Sequence, residues 1–402
     1  MDAVKRVLVL NSGSSTLKWA LLDATDESTL AGATVSWTGV GEVRRLEQIQ
    51  SVLRGVPQFD AVGHRIVHGG SRYRETMVVD ARVRADLESL VERDPIHMRS
   101  ALEGIDAVQA QVPAVPQFVA FDTAFHATLP AAAAGYALPF EWTEKWDLRR
   151  FGFHGLSVAY SAQRARELTG GAVPRLVVCH LGSGCSVSAV AEGRSIDTTM
   201  GFTPLEGLMM GTRSGSVDPG LLLYLQLQHG VTPAEMFEAL TTRSGLLGVS
   251  GVSADLREVL SAAEAGSSRA ALAYERFVLG VRRAVGAMTS VLGGLDVLVF
   301  TGGVGENSSP VRRDVASALS FAGAQLDDEE NRSAVPDVDI GRRDSDVRIL
   351  VVRAREDLII LREMLRCAEA IRTRVPATGV DHIGHRLSHK SESVSDDDAA
   401  SR

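Results

Sequence analysis

The feature that most limits the fold of this chain is a weak internal repeat. Residues 7–22 read VLVLNSGSSTLKWALL, and residues 176–191 read LVVCHLGSGCSVSAVA. Each segment has an apolar strand, a turn of small residues and a second, partly alternating strand. A Gly/Ser turn exposes backbone N–H groups with little side-chain bulk, so it can approach phosphate oxygens closely. Either hairpin alone could be an ordinary β-turn, but two that face each other would hold a polyphosphate from both sides.

The length and the element pattern favour a two-domain α/β fold. A chain of 402 residues is too long for one ordinary core and can form a cleft between two domains. Strand and helix patterns alternate along the chain. Helices are expected over residues 268–292, from the capping box of Thr232 and Glu235 to near Gly245, and from Ser309 to near Gly323. From residue 374 onward the chain is polar, with clustered Ser and Asp, which predicts a disordered tail over 374–402.

The composition argues against several classes of protein. The formal net charge is −8, whereas nucleic-acid and membrane-surface proteins need a basic face, so neither partner is expected. The N-terminus shows no basic leader followed by a long apolar stretch, and no apolar run approaches the roughly 20 residues of a membrane span. The sequence therefore predicts a cytoplasmic protein. Cys179, Cys185 and Cys367 have no metal-ligand spacing and are expected to be reduced packing residues.

The nucleotide-binding motifs that are most easily recognised are absent from the sequence. There is no G-x-x-x-x-G-K-[ST], and no G-x-G-x-x-G between a strand and a helix, so P-loop and Rossmann sites are poor interpretations. Residues 295–301 instead form a buried-strand pattern that leads into GGVGEN (302–307) and then a helix. Glycines there would let a ligand lie against the backbone near a helix N-terminus, although the same pattern suits a tight strand-to-helix turn.

Three groups of segments concentrate Arg, His and Asp among small residues. Phosphoryl transfer needs cations around the phosphoryl oxygens, a metal and an in-line acceptor. Arg65 and Arg213 carry planar guanidinium groups that suit a carboxylate or a phosphoryl group, His154 could donate to the same oxygens, and Asp122 could hold a magnesium-bound water or orient an arginine. The alternatives are structural ion pairs for the arginines, a core position for His154 and a turn cap for Asp122. The segments are GHRIVHGG (63–70), FDTAFH (121–126) with FGFHG (151–155), and MGTRSGSVDP (210–219).

As a set, these blocks resemble the signature blocks of acetate kinases. The matching segments, in family order between about residues 7 and 363, are NSGSSTLK, GHRIVHGG, FDTAFH, FGFHG, HLGSG, MGFTPLEGLMMGTRSGSVDPG and FTGGVGEN. The resemblance implies reversible, direct in-line transfer of the γ-phosphoryl of ATP to acetate, which gives acetyl phosphate and ADP. It also implies Mg²⁺, with Mn²⁺ as an alternative ion, and a homodimer.

The resemblance further implies a fold of duplicated RNase-H-like, actin-like ATPase domains with a central active-site cleft. The implied N-terminal domain is 1–126 plus 358–373, the nucleotide-binding domain is 127–357, and the tail is 374–402. Each domain would contain one of the two hairpins of the internal repeat, so the implied fold agrees with the repeat.

Roles for individual residues also follow from the resemblance. Arg65 would bind the acetate carboxylate, Asp122 would be the catalytic carboxylate, and His154 and Arg213 would stabilise the transition state. Val67 and Pro204 would contact the acetate methyl group. Asn11 and Glu356 would hold the metal ion, with Asp357 as the alternative to Glu356. The ATP site would include Lys18, His180, Leu181, Gly182, Ser183, Gly184, Asp255, Leu256, Arg257, Gly303, Val304, Gly305, Glu306 and Asn307.

Three departures from the family pattern stand beside the match. Ser183 occupies a position where the family usually has Asn, His97 is followed by Met98-Arg99-Ser100 instead of Asn-Pro-Pro, and the region of residues 30–60 is shorter than usual. The first shortens a phosphate-facing side chain, although a hydroxyl still donates a hydrogen bond. The second puts the role of His97 in doubt.

Three other functions compete with the acetate kinase hypothesis. A propionate or butyrate kinase would use the same charged residues with a wider pocket, and one methylene changes binding by only about 1–3 kcal/mol. A sugar kinase would need a base for an alcohol, whereas two arginines suit a carboxylate. A non-catalytic ATP switch of the actin or heat-shock chaperone kind would not need Arg65, Asp122, His154 and Arg213 together. Val67 favours acetate over the longer acids.

Overall fold

The computed structural model describes residues 4–13, 16–37 and 41–374. Residues 375–402, which make up almost all of the expected disordered tail, lie outside this part of the chain, and so do Ser14 and Ser15 of the first Gly/Ser turn. Arg374, the first residue of that expected tail, is the last residue of the C-terminal helix.

The first of two six-stranded mixed sheets is built from the N-terminal third of the chain. Its strand order is β3-β2-β1-β4-β6-β5. The strands are β1 (Arg6–Ser12), β2 (Thr16–Asp23), β3 (Thr29–Ser36), β4 (Ala61–Ile66), β5 (Met77–Val78) and β6 (Gln117–Phe121). The helices of this part are α1 (Glu42–Gly55), α2 (Ala81–Ser89) and α3 (Pro95–Gln111).

The second sheet repeats the plan of the first. Its order is β11-β12-β10-β7-β8-β9. The strands are β7 (Arg175–Leu181), β8 (Cys185–Ala191), β9 (Arg194–Thr198), β10 (Val297–Thr301), β11 (Val338–Asp339) and β12 (Arg348–Val351). The helices are α4 (Ala131–Ala134), α5 (Phe140–Trp146), α6 (Gly155–Thr169), α7 (Pro219–His229), α8 (Pro233–Thr242), α9 (Gly245–Ser250), α10 (Leu256–Glu264), α11 (Ser268–Leu292), α12 (Gly302–Asn307), α13 (Ser309–Ser317), α14 (Asp328–Ser333) and α15 (Glu356–Arg374).

The two sheets correspond strand by strand. In each, an antiparallel three-stranded meander is followed by two parallel strands, β4 and β6 in the first and β10 and β12 in the second. Each sheet also ends in a two-residue antiparallel edge strand, β5 or β11. The internal repeat at the two hairpins therefore marks a duplication of the whole sheet, and the expected α/β class with duplicated units is confirmed.

Helices α6 and α15 lie between the sheets and join their cores. One buried cluster contains Val9 of β1 and Val178 of β7 together with Ile360 of α15. The helix α15 approaches β4 closely, since a Cβ atom at Gly63 would clash with the Met364 sulfur. The C-terminal helix thus packs against the N-terminal sheet; the domain boundaries themselves stay a prediction.

Most of the local helix predictions are confirmed. The helix α11 covers Ser268–Leu292, and α8 begins with the reciprocal capping box of Thr232 and Glu235. The helix from Ser309 ends at Ser317, and a separate 3₁₀ turn, Ser320–Ala322, follows it just before Gly323. Cys179 and Cys185 are buried and all three cysteines are free. Among the described residues, no helix combines the length and the apolarity needed to cross a membrane.

Candidate active site

A cleft of about 940 Å³ opens where parallel strands of both sheets end. Asn11 and Arg65 lie one residue before the ends of β1 and β4, and Asp122 directly follows β6. From the second sheet, His180 lies at the same place on β7. Carboxyl ends of parallel strands in one sheet meet at one edge, so the topology brings these side chains together. The volume suits a small-molecule ligand.

Four residues on the N-terminal side of the cleft form a connected polar cluster, which we call the carboxylate side: Asn11, Arg65, Asp122 and Glu356. The Arg65 guanidinium donates to both oxygens of Asp122, with Nε 3.0 Å from Oδ1, and to the Asn11 amide oxygen at 3.1 Å. The Asn11 amide nitrogen donates to Glu356 at 2.9 Å, and Arg65 Nε lies 3.6 Å from the same carboxylate. Arg65 is therefore held in one orientation by two acids and an amide.

The two acids of the carboxylate side have pKa values that are shifted in opposite directions. Burial, reinforced by the Glu356 charge and opposed by Arg65, raises the pKa of Asp122 to about 6. Burial acts in the same direction on Glu356, but Arg65, His180 and Lys18 outweigh it and lower the pKa of that carboxyl. Glu356 is thus the more firmly ionised of the two acids and the better hard oxygen ligand for a divalent cation.

Three residues opposite form what we call the cation side: His154, His180 and Arg213. The two imidazole rings lie 4.2 Å apart between centroids, and each bonds a buried serine, with His154 Nδ1 3.1 Å from the Ser186 hydroxyl and His180 Nδ1 2.8 Å from that of Ser157. Burial lowers the pKa of His180 to about 4, and burial together with His180, Arg65 and Arg213 holds the pKa of His154 well below its usual value. Both rings are neutral at pH 7, so His154 can act there as a hydrogen-bond donor without a charge.

Arg213 differs from Arg65 in its partners. Its guanidinium donates to the carbonyl oxygen of Pro204 at 2.7 Å, and within residues 4–13, 16–37 and 41–374 it makes no ion pair within 4 Å. Burial lowers its pKa, but the guanidinium stays charged at pH 7. This cation faces the cleft without a carboxylate, as an anion-binding group should.

The backbone packs closely around the cation side. A Cβ atom at Gly184 would lie 2.6 Å from Arg213 Nη2 and 3.1 Å from His154 Nε2, so the strand-turn glycine is in contact with both groups. His154 has a left-handed backbone, φ 60°, at the start of α6. The next amide, Gly155 N, donates to the Asp122 carbonyl at 2.8 Å, which ties the two sides together.

The HLGSG turn and the GGVGEN segment, both expected at the ATP site, lie near each other. A Cβ atom at Gly182 would be 3.8 Å from the amide nitrogen of Gly303, and both residues line the cleft. Gly302 has φ 77°, and a Cβ there would be 2.7 Å from the Leu181 carbonyl, which requires glycine. Lys18, exposed on β2 and paired in register with Asn11, lines the same space.

A small apolar wall borders the carboxylate side. Val67 directly follows β4 and is 6% exposed, and Phe153 is 1% exposed. Pro204 completes the wall from the long loop before α7. The wall lies beside both arginines and suits a short alkyl group attached to an anion.

The structure brings most of the expected site residues into the cleft. Those that line it are Asn11, Lys18, Arg65, Val67, Asp122, His154, His180, Gly182, Ser183, Gly184, Pro204, Arg213, Gly303, Glu306 and Glu356. The alternative metal ligand, Asp357, also lines it but pairs with Arg355 at 2.9 Å.

The other residues expected at the ATP site do not line this cleft. They are Leu181, Asp255, Leu256, Arg257, Val304, Gly305 and Asn307. Leu256 is 3% exposed in the core, while Asp255 caps α10 and pairs with the exposed Arg257. The Asn307 amide donates to the Gly303 carbonyl at 2.8 Å and stabilises the α12 turn. Their contact with a nucleotide stays a prediction.

Several cleft residues were not predicted as site residues. Phe153 lies inside the FGFHG motif, so its place in that motif could have indicated it. His97 lines the cleft and bonds buried Asp94 through Nδ1 at 2.9 Å. The face of β3 that includes Gly32 and Thr34 also lines the cleft, but no motif marks it.

The sequence of this chain is similar to those of a known protein family. The model of the acetokinase family matches residues 45–362. The chain belongs to the acetokinase family. It is 42% identical to an acetate kinase of Nostoc sp. over 398 residues, which covers 89% of this chain and 98% of that protein, and 44% identical to one from Nostoc punctiforme, with 88% and 97% covered.

Solved structures agree with this family assignment. The acetate kinase of Porphyromonas gingivalis matches with a TM-score of 0.83 at 35% identity, covering 90% of this chain and all of that one. A propionate kinase from Francisella tularensis matches with a TM-score of 0.82 at 34% identity, covering 89% and 98%. The family and fold that the signature blocks predicted are therefore confirmed.

Proposed function

We propose that this protein transfers the γ-phosphoryl group of ATP to acetate, reversibly, to give acetyl phosphate and ADP. One observation carries the proposal: two guanidinium groups, a neutral imidazole and two acids converge on one cleft beside a small apolar wall. Phosphoryl transfer requires positioning and charge stabilisation more than covalent chemistry, and this arrangement supplies both.

In the proposed reaction, an acetate oxygen attacks the γ-phosphorus while the bond to the bridging oxygen of ADP breaks. A carboxylate oxygen is already nucleophilic and needs no base. Arg65 would orient the acetate, with the methyl group against Val67 and Pro204. Arg213 and His154 would donate to the phosphoryl oxygens as charge spreads over them.

Asn11 and Glu356 suit a magnesium ion. Mg²⁺ is typically held by one or two protein oxygens together with substrate phosphates, and these residues offer a carboxylate and an amide oxygen on two side chains that are joined by the 2.9 Å hydrogen bond from the Asn11 amide nitrogen to Glu356. The ion would neutralise phosphate charge when bound; Mn²⁺ has the same ligand preference. ATP would lie along Lys18, the 180–184 turn and the 303–307 segment, with residues 255–257 farther out.

Propionate is the main competing acceptor. The propionate kinase of Francisella tularensis is as similar in fold as the acetate kinases, so the fold does not discriminate between the acids. The buried side chains of Val67 and Phe153 limit the space for the alkyl group of the acid, which favours acetate over propionate. Butyrate would need a still wider pocket, and no feature of the site favours a sugar or a non-catalytic ATP switch.

We further propose a cytoplasmic homodimer that needs neither nucleic acid nor membrane. The helix α7 has no buried residue, and its Leu223, Tyr224 and Leu227 are each more than half exposed, as is Phe237 on α8. A second copy of the chain would cover such a surface. The free cysteines fit a reducing compartment.

A direct assay tests the proposed function. Purified protein is incubated with Mg·ATP and acetate, propionate, butyrate or glycerol; ADP release measures turnover with each acceptor, and acyl phosphate is trapped with hydroxylamine. We expect hydroxamate with acetate above the other acids, and none after EDTA treatment unless Mg²⁺ is restored. Turnover with glycerol alone would refute the proposal, and a preference for propionate would transfer it to that acid.

A further inference from the structure

The loop of residues 199–218, between β9 and α7, carries two cleft residues, Pro204 and Arg213, yet contains no helix or strand. Its backbone polar groups therefore need partners other than a regular ladder. Three side chains that do not line the cleft supply them: Tyr136, Arg150 and Glu206. We call them the loop clamp.

Arg150 binds the start of the loop. Its Nη1 lies 3.1 Å from each of the carbonyl oxygens of Thr198, Thr199 and Met200. Its Nη2 donates to Glu206 Oε1 at 2.7 Å. One guanidinium thus fastens the beginning of the loop to a residue in its middle.

Tyr136 binds the other carboxylate oxygen of Glu206. Its hydroxyl donates to Oε2 at 2.5 Å and accepts from the Phe202 amide at 2.7 Å. A Cβ atom at Gly201 would clash with both Glu206 Oε2 and the Tyr136 oxygen. The carboxylate and the phenol therefore press directly on the backbone of the loop, and both oxygens of Glu206 are committed.

The far end of the loop depends on the same turn. The Arg213 guanidinium donates to the Pro204 carbonyl at 2.7 Å, its one side-chain hydrogen bond to another described residue. Pro204 lies between Phe202, which Tyr136 holds, and Glu206, which Arg150 holds. The position of the clamp thus sets the position of Pro204, and Pro204 sets where the guanidinium of Arg213 can lie.

We propose that Glu206 and Tyr136 are positioning residues that act on the reaction through Arg213 and Pro204. The inference rests on the proposed function, since Arg213 matters only if an anion is bound there. It also gives the long MGFTPLEGL block a physical reason: the block folds around its own glutamate. Small displacements of a catalytic group are costly, about 100-fold for 1 Å.

The test is a double-mutant cycle with steady-state kinetics. Glu206→Gln and Tyr136→Phe should each lower kcat about 10- to 100-fold and raise the KM for the acyl acceptor, with the KM for ATP unchanged within about two-fold. In an Arg213→Ala background the same changes should lower kcat less than two-fold further, because the group they position is gone. Tyr274→Phe is the matched control: Tyr274 makes the same kind of bond, 2.6 Å to Asp314, away from the cleft.

The outcomes separate the two proposals. No activity in the wild-type protein would mean that the proposed function has failed. An active wild type, with losses in the Arg213→Ala background as large as in the parent, would overturn the clamp. Unchanged kcat in both single variants would overturn it equally. If Glu206→Gln is found unfolded by circular dichroism, Tyr136→Phe, which keeps the ring and the charge pair, carries the decision alone.

Discussion

The two sides of the cleft differ in how their arginine charges are compensated. On the carboxylate side, Arg65 is bound by Asp122, Asn11 and Glu356 before any ligand arrives. On the cation side, Arg213 has a carbonyl partner and, among the residues that the structure describes, no acid, and both histidines are neutral at pH 7. In the proposed function, the first side would hold a metal ion and orient a small anion. The second leaves charge uncompensated where negative charge would develop.

Removal of Arg213 should have the largest effect on this contrast. We expect Arg213→Ala to lower kcat by about 1,000-fold or more, with only a small change in the KM for ATP, because the group acts mainly in the transition state. Steady-state kinetics with acetate and Mg·ATP measure both constants. Arg282→Ala is the control, since Arg282 also donates to a backbone carbonyl, that of Asp314, but far from the cleft. Unchanged turnover in Arg213→Ala would remove its assigned role.

A change at Gly184 should disturb the cation side without deleting any of its groups. An added methyl would meet Arg213 Nη2 at 2.6 Å and His154 Nε2 at 3.1 Å, so one of them must move. We expect Gly184→Ala to lower kcat about 10- to 100-fold while the fold and the melting temperature are kept. Gly286→Ala on α11, where a methyl meets open space, should behave as wild type. Wild-type kinetics in Gly184→Ala would show that the close contact is not needed.

A third experiment concerns the apolar wall beside the carboxylate side. Val67→Ala removes two methyl groups from the pocket and should raise the ratio of kcat/KM for propionate to that for acetate by about 10-fold, the scale of one methylene. Val62→Ala makes the same change at a core residue of β4, and should lower the free energy of unfolding without changing the ratio of kcat/KM values. An unaltered ratio in Val67→Ala would place the alkyl group elsewhere.

How far the sequence predicts this molecule depends on what each residue needs from its surroundings. The hairpin repeat predicted the duplicated sheet because strand periodicity and small-residue turns are local properties. Arg65, Asp122 and Arg213 could be selected because each is a charged residue in a short motif that resembles a signature block of acetate kinases. The sequence could not show that Arg65 is paired with acids while Arg213 is not, because this difference depends on which strands end side by side.

The supports of the site were also hidden from the sequence. Ser157 and Ser186 bond the two imidazoles, but nothing distinguishes them from other serines in the printed sequence. Arg150 and Tyr136 lie more than 45 residues before the loop they hold, so only the fold joins them to Glu206. Sequence patterns identify charged residues in distinctive motifs, whereas the side chains that orient those residues come from distant parts of the chain and are recognised only in the folded structure.

The smallest expected effect concerns His126, which supports the cation side from beneath. Its Nε2–H donates to the Phe153 carbonyl at 3.0 Å, so Nδ1 accepts from the Ser195 hydroxyl at 2.8 Å, and the neutral ring fixes the residue before His154. Burial lowers its pKa to about 4 from 6.5. Because the folded pKa is the lower one, the stability due to the neutral ring is complete above pH 6.5 and is lost as the pH falls from 6.5 towards 4.

We therefore expect the melting temperature of the wild type to fall between pH 7 and pH 5, and to fall less steeply in His126→Gln, which starts from a lower value at pH 7. Thermal unfolding followed by circular dichroism at several pH values measures both slopes. His229→Gln, an exposed histidine at the end of α7, is the control and should keep the wild-type slope. Parallel curves for wild type and His126→Gln would mean that proton uptake by this ring does not accompany unfolding, and the assigned tautomer would lose its support.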